Sequence, residues 1–242
     1  MPQFLLLVLE GPMTAFGAEA VDARGVVRDW PGASLLTGLL ANALGYRRST
    51  REAHARLQER IVFGVRIDRR GTRFTDFQTA ALDKDDRGWT TRGVPEGRAG
   101  GAGTYDSPHI RERDHVADTA LTVALRLAPA EEAPTLEEVA AALDRPARPL
   151  FLGRKSCPPA RPLNGGFVEA ESLAEALLSA PSPFLSPTLS SDAPPVPSVV
   201  LPDGPGIDPR WERIVVSDRR DWIAGVHAGS RVFRRGTMER RL

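Results

Sequence analysis

Cysteine is nearly missing from this sequence: Cys157 is the sole one in 242 residues. No internal disulfide can form, and a zinc site built on several thiolates is excluded. A reducing cytoplasm is the expected compartment. Lysine is almost as scarce. Of 32 basic residues only Lys84 and Lys155 are lysine, so nearly every cation is a guanidinium, a planar fork that pairs with phosphate bidentately and stacks on bases. A GC-rich coding bias, which also favours Ala, Gly and Pro, accounts for the same excess, and both readings stand. Long apolar runs are absent. Residues 4–9 are apolar, but no basic residue precedes them and Glu10 and Gly11 close the run. Neither a secretion signal nor a membrane span is expected, and the chain should be soluble. Nor does one sign of charge dominate. Lys+Arg number 32 against 31 Asp+Glu, a net charge of +1, which by itself argues neither for nor against nucleic acid.

What is present is a patterned globular chain. Apolar residues make up 41% and charged ones 26%, a balance that argues against wholesale disorder. A chain of 242 residues can build one or two domains around a sizeable core. Residues 4–9, closed by Gly11 and Pro12, have the pattern of a central strand buried on both faces. Leu35, Leu36, Leu39, Leu40 and Ala43 recur at helical spacing, with Ser34 placed to cap that helix and Gly45 to end it. Ile61, Phe63, Val65 and Ile67 alternate at strand period, as do Leu121, Val123, Leu125 and Leu127. Thr135 and Glu138 make a capping box that opens a helix reaching Leu143. Leu150, Phe151 and Leu152 offer a short strand before Gly153.

The order is strand, helix, strand, insertion, strand, helix, strand. It predicts an α+β fold of ferredoxin-like βαββαβ plan, also used by RRM-like RNA-recognition modules. The palm is expected over residues 1–165, with an insertion of about 70–116 where a plain fold has a short hairpin. So long an insertion points to function or to disorder, and function is the expectation adopted. Residues 166–242 form a mostly β C-terminal extension. It holds a short helix over 171–179, a Pro/Ser-rich mobile loop over 181–209, and strand-like stretches at 214–216 and 231–233. Arg234, Arg235, Arg240 and Arg241 make its end basic, as a solvated tail or as a binding element.

Five strings stand in order along this plan. Gly11-Pro12-Met13-Thr14-Ala15-Phe16-Gly17 follows the first strand, and Pro31, Ser34, Leu36, Gly38, Leu39 and Leu40 open the first helix. Phe63-Gly64-Val65-Arg66 lies in the second strand, and Asp76-Phe77-Gln78-Thr79 begins the insertion. Leu152-Gly153-Arg154-Lys155-Ser156-Cys157-Pro158 is followed by Arg161-Pro162-Leu163. Together these resemble the signatures of the CasD family of type I-E CRISPR Cascade subunits, a branch of the RAMP superfamily. The resemblance implies a palm and a protruding thumb that hold the repeat-derived 5′ handle of CRISPR RNA (crRNA). It implies a Cascade backbone subunit and the large subunit as partners, with the chain capping the backbone filament in antiviral defence. Target DNA is met only through the assembled complex, no membrane is involved, and no cofactor, metal or catalytic residue is expected. The family often carries a basic residue between the proline and serine of the helix opening; here Ala33 stands there, and Arg28 is the candidate to supply the charge.

Single-stranded RNA of fixed sequence is read by stacking, base-edge hydrogen bonds and phosphate contacts. The candidate RNA-binding residues are Met13, Phe16, Arg28, Ser34, Gln78, Arg92, Arg111, Arg113, Gly153, Arg154, Lys155 and Ser156. In Gly153-Arg154-Lys155-Ser156 a glycine permits close backbone approach, two cations neutralise phosphate, and a hydroxyl bonds its oxygens. A strand-end turn with two solvated charges is the alternative. Met13 and Phe16 either stack on a terminal nucleotide or cap the core. Within the insertion, Arg87, Trp89, Arg92, Arg98 and Tyr105 mix cations and aromatics with the flexible glycines of 96–103. Asp83, Asp85 and Asp86 would repel phosphate, so part of the thumb should face protein.

A sibling branch in type I-C systems processes its guide RNA without metal, and an endoribonuclease of that kind is the competing reading. Such cleavage needs a base, an acid and a cation around one phosphate. Tyr46, Lys84, Lys155, His109 and His115 are the available parts, and they are scattered along the chain. His54 and His227 have no motif around them. A binder is therefore expected, with a protein scaffold lacking RNA contact as a third reading.

Overall fold

The computed structural model describes residues 1–18, 24–80, 109–181 and 196–238. Asp83, Lys84, Asp85, Asp86, Arg87, Trp89, Arg92, Arg98, Tyr105 and the glycines of 96–103 in the insertion, residues 182–195 of the Pro/Ser-rich stretch, and Arg240–Arg241 lie outside the described residues.

The first strand, β1 (Gln3–Thr14), is buried on both faces as its composition demands: Leu5, Leu7 and Leu9 enter one core cluster and Phe4 and Leu6 another. It is followed by β2 (Arg24–Gly25), α1 (Ala33–Ala43), α2 (Arg51–Arg60), β3 (Ile61–Arg69), β4 (Thr72–Ala80) and β5 (His109–Leu127). Next come α3 (Leu136–Asp144), β6 (Asn164–Glu169), α4 (Leu173–Ser179) and β7 (Ser198–Pro202). The C-terminal part adds β8 (Glu212–Val216), β9 (Arg220–Asp221), β10 (Val226–His227) and β11 (Arg231–Thr237). One large sheet runs β6-β1-β5-β3-β7-β11-β8, every neighbouring pair on this path antiparallel. Strands β7, β11 and β8 thus continue the same sheet, while β9 and β10 pair with each other as a separate two-stranded sheet. On one face, α1 and α3 pack Leu36, Leu40, Val139 and Leu143 onto Leu121, Val123 and Leu125; on the other, Ala176 and Leu177 of α4 meet Phe4, Leu6 and Ala124.

Several expectations need correction. Leu150–Leu152 is no strand: Leu152 is engaged in a loop, accepting from Ala15 N at 2.9 Å and donating to Cys157 O at 2.7 Å. The strand after α3 is instead β6. The helix α2 was invisible to apolar periodicity because it buries His54, Leu57, Gln58 and Arg60, one apolar residue among four. Hydrogen bonds take the place of apolar packing there: Arg60 donates from Nε and Nη2 to Pro129 O at 3.2 and 2.9 Å. The stretch expected as a loop over 181–209 contains β7, whose Val199, Val200 and Leu201 are fully core.

Arginine use also divides. Arg66, 1% exposed, pairs with Asp68 at 2.7 Å and donates to Leu177 O, to Ala180 O at 2.8 Å and to Pro181 O at 3.1 Å, tying the end of α4 to β3. Its planar fork suits several carbonyls at once, which an ammonium could not match. Part of the arginine excess is therefore structural. Among the described residues, no helix is long and apolar enough to cross a membrane.

Candidate nucleic-acid interface

Gly45 ends α1 as its position suggests. It adopts φ +82°, donates to Asn42 O at 3.3 Å, and lets Tyr46 N reach back to Ala41 O at 2.9 Å, a Schellman closure. Arg148 satisfies carbonyls just beyond that end, donating to Gly45 O at 3.4 Å and to Tyr46 O, and holds Asn42 Oδ1 at 2.8 Å. A cation there complements the negative end of the helix. The turn that follows presents Arg47 and Arg48 to solvent before α2 begins at Arg51.

Ser34 does not cap α1. The N-cap is Gly32, and the carboxylate of Asp218, from the far end of the chain, accepts from Ala33 N at 2.8 Å, while its backbone oxygen accepts from Ser34 N at 2.8 Å. Asp218 is 1% exposed and also receives Nε of Arg231 at 2.9 Å and Nη2. This clamp fixes the start of the β9–β10 hairpin. Gln58 of α2 holds it a second time, its amide pairing both with Arg220 O at 2.9 Å and Arg220 N at 3.0 Å, as a strand would. The tip closes on Asp221, whose Oδ1 accepts from Ile223 N and Ala224 N, both at 2.9 Å.

Between α1, the turn to α2, the 148–155 loop and this hairpin lies a groove of about 770 Å³. Arg47, Arg48, Arg51, Arg148, Lys155 and Arg220 line it, and among the described lining residues none is acidic. Arg51 and Arg220 bond carbonyls, Ile223 O at 2.9 Å and Gly225 O at 2.8 Å, so their charge is oriented but not neutralised. Arg47, Arg48 and Lys155 have no ion pair among the described residues. Aromatic rings floor the groove: His54 packs at 4.7 Å on Trp222 and at 5.7 Å on Tyr46, and Arg220 lies 5.5 Å from the Trp222 ring centre. Uncompensated cations beside aromatic faces fit a single-stranded polyanion.

The predicted residues are distributed unevenly about this groove. Gly153 has φ +101°, and a Cβ there would sit 1.9 Å from Ala15 O, so only glycine lets the turn rest against the end of β1. The two cations of that turn then part. Lys155 is exposed and reaches the groove. Arg154 points inward, donating to Asp114 O at 2.7 Å and Gly25 O at 2.9 Å and lying 3.2 Å from His115 Nε2. Burial, with the neighbouring Arg113 guanidinium, pulls its pKa below the usual arginine range. Arg154 is a tie between segments rather than an open phosphate ligand. Ser156 is exposed. Ser34 lines a smaller cavity beside the groove.

Phe16 is 1% exposed and packs in the core, so its ring is not free to stack on a base; Met13 is half-buried against the same cluster. Arg28 donates to Ser217 O at 3.0 Å, close to the Asp218 clamp. Gln78, Arg111 and Arg113 lie on the β4–β5 ribbon, where register puts Phe74, Asp76 and Gln78 on one face with His115, Arg113 and Arg111. That face leads to Arg154 and not to the groove lining. Gln78 Nε2 donates to Asp76 Oδ2 at 2.6 Å.

Sequence reasoning missed most of the groove. The string Tyr46-Arg47-Arg48-Ser49-Thr50-Arg51, dense in cations after a helix stop, was a readable signal. Arg148, Arg220 and Trp222 carried none. The acid–base parts are also less scattered than the sequence implies, because Tyr46, His54 and Lys155 line the same groove. Burial raises the Tyr46 pKa, Arg60 opposing and Glu138 adding to the shift, which holds the phenol protonated at neutral pH. His54 Nδ1 lies 2.7 Å from Thr50 O, a carbonyl it can only donate to. His115 is not among the residues that line the groove; it stacks on Phe74 at 5.4 Å.

An antiparallel-sheet protein with a basic, aromatic-floored groove is the class defined so far, and comparison with known proteins supplies the family. Residues 4–234 match the family model described as CRISPR-associated protein (Cas_Cas5), and the chain belongs to that family. Within it, the chain is 30% identical over 186 residues to the CRISPR system Cascade subunit CasD of Escherichia coli (strain K12), covering 74% of this chain and 77% of that one. A chain of a solved CRISPR RNA-guided surveillance complex shares the fold, with TM-score 0.72 and 24% identity over 97% of this chain and 90% of its own. A crystal structure of a Cas protein aligns with TM-score 0.62 and 27% identity, covering 99% and 96%.

Proposed function

We propose that this chain is a Cascade-type subunit that holds the repeat-derived 5′ handle of crRNA, and that it grips the strand in the groove between Arg47, Arg148, Lys155 and Trp222. The observation that carries the reading is the lining itself: six cations beside the rings of Tyr46, His54, Phe151 and Trp222, with no carboxylate among the described residues. The kinship with CasD and the likeness to a chain of an RNA-guided surveillance complex support it. The antiparallel order β6-β1-β5-β3, with α1 and α3 on one face, supports a ferredoxin-like palm of the RAMP kind. The β4–β5 ribbon is then the root of the thumb, and exposed Phe77 and Ile110 on its second face suit contact with the neighbouring backbone subunit. The large subunit is the other expected partner.

Holding, not cutting, is the role assigned. Burial raises the Tyr46 pKa and holds the phenol protonated, so little phenolate is available as a base at neutral pH. The test replaces Arg47 and Arg48 with alanine in the chain co-expressed with its complex. RNA recovered from the parent should share one repeat-derived 5′ end. The variant should bind more weakly, with a salt slope shallower by roughly 0.7 for each phosphate of the single strand that is no longer neutralised. Equal retention at every salt concentration would remove the groove from the function.

A further inference from the structure

A smaller cavity of about 220 Å³ opens beside the basic groove. Leu35, Gly38, Leu39 and Phe151 give it apolar walls, and Ser34 and Asn42 supply polar atoms. Gly38, Asn42 and Phe151 line both spaces. The slot is thus an apolar annex to a cationic channel.

Gly38 is the residue that needs explaining. It sits in the middle of α1, where glycine is the least favourable choice after proline. Packing does not require it: a Cβ there would meet nothing closer than Trp222 Cη2, at 3.9 Å, an ordinary contact. Its backbone is plainly helical, so no special torsion asks for it either. The bare surface keeps space open between slot and groove. Of the polar atoms, the Asn42 amide is already committed at both ends, to Pro149 O at 2.8 Å and Arg148 Nε at 2.8 Å. The Ser34 hydroxyl has no protein partner among the described residues.

We propose that this slot receives one nucleobase turned out of the RNA strand. Phe151 offers a ring to stack on, and Ser34 Oγ bonds the base edge, while the flanking phosphates lie over Lys155 and Arg148. Gly38 is the specificity-determining residue that leaves room for the base. The inference rests on the RNA-holding reading above and adds that one position of the strand is read apart from its charge. A nucleobase is the occupant because the space is single-ring to double-ring in scale, apolar, and entered from a channel built for a polyanion.

The test uses the full chain and a short single-stranded RNA matching the repeat-derived end, with a series in which each nucleotide in turn is abasic. On the parent protein one abasic position should lower affinity by about tenfold, the scale of one missing base stack, and its neighbours much less. Gly38→Leu should fill the slot, weaken the intact RNA by a similar factor, and show no further loss on the critical abasic RNA. Its melting temperature should equal or exceed the parent's, because leucine favours the helix. A flat abasic scan on a parent that binds RNA overturns the slot and leaves the groove standing. So does parental affinity of Gly38→Leu for intact RNA. A parent that binds none of these RNAs overturns both readings.

Discussion

Asp218 is where a single substitution should reach furthest. Its carboxylate caps α1 through Ala33 N and holds Arg231 through two bonds, and it is nearly sealed from solvent. Asp218→Ala removes a cap, about 1 kcal/mol, and deprives Arg231 of its counter-charge. Stripping one partner from a buried pair costs roughly 3–5 kcal/mol. Arg231 is 23% exposed and keeps the Phe63 and Phe233 rings at 5.1 and 4.9 Å, so partial hydration and ring contact reduce that cost. The sum is about 2–4 kcal/mol, which for a domain of this size lowers the melting temperature by roughly 5–15 °C. Asp218→Asn keeps an oxygen for Ala33 N but loses the charge and turns the acceptor of Arg231 Nε into an amide donor, so the effect should be smaller than for alanine only by the retained cap. Urea unfolding of the parent, both single variants, Arg231→Met and the double variant gives the coupling directly. An Asp218→Ala protein within about 0.5 kcal/mol of the parent would refute the clamp. So would an asparagine variant as damaged as the alanine one. Because the clamp also sets the β9–β10 hairpin, RNA affinity should fall with Asp218→Ala at temperatures where the protein stays folded.

Three further outcomes are expected. Arg154→Ala should destabilise by roughly 2–4 kcal/mol, leaving Asp114 O and Gly25 O without their charged donor, whereas Lys155→Ala should leave stability unchanged and reduce RNA affinity with a salt slope shallower by roughly 0.7; chemical denaturation and binding titrations separate the two. The Asp114 carboxyl is held below the usual carboxylate range by the Thr75 hydroxyl at 2.8 Å, with burial opposing and Arg24 assisting. Its stabilisation is therefore complete above the unfolded value of about 4 and is lost as pH falls through the lower folded value, so the acid limb of a stability–pH curve should flatten in Thr75→Val; parallel curves would contradict this. Repeat RNA incubated with the purified chain should remain intact with or without a chelator, and cleavage at the handle boundary would return Tyr46, His54 and Lys155 to catalytic roles.

Local pattern was enough for the elements whose burial follows from chain-near apolar spacing. The run at residues 4–9, the leucines of α1, the alternation in β3 and β5, the Thr135–Glu138 box and the Gly45 stop all appear as expected, with Thr135 N bonded to Glu138 Oε2 at 2.8 Å. The strings that resemble the CasD family were legible for the same reason: they are contiguous. Helix α2 escaped because its buried face is polar, and polar burial depends on partners such as Pro129 O and Arg220 that lie far along the chain. Ser34 was passed over as a cap for Asp218, some 185 positions away. The tertiary structure alone decided the candidate site. It turned Arg154 inward and Lys155 outward from adjacent positions, buried Phe16, and gathered cations from residues 47, 148, 155 and 220 around one groove. Sequence order carries the reach of a hydrogen bond or an apolar face along one element, but a groove is a coincidence of elements, and only packing brings their charges to a common wall.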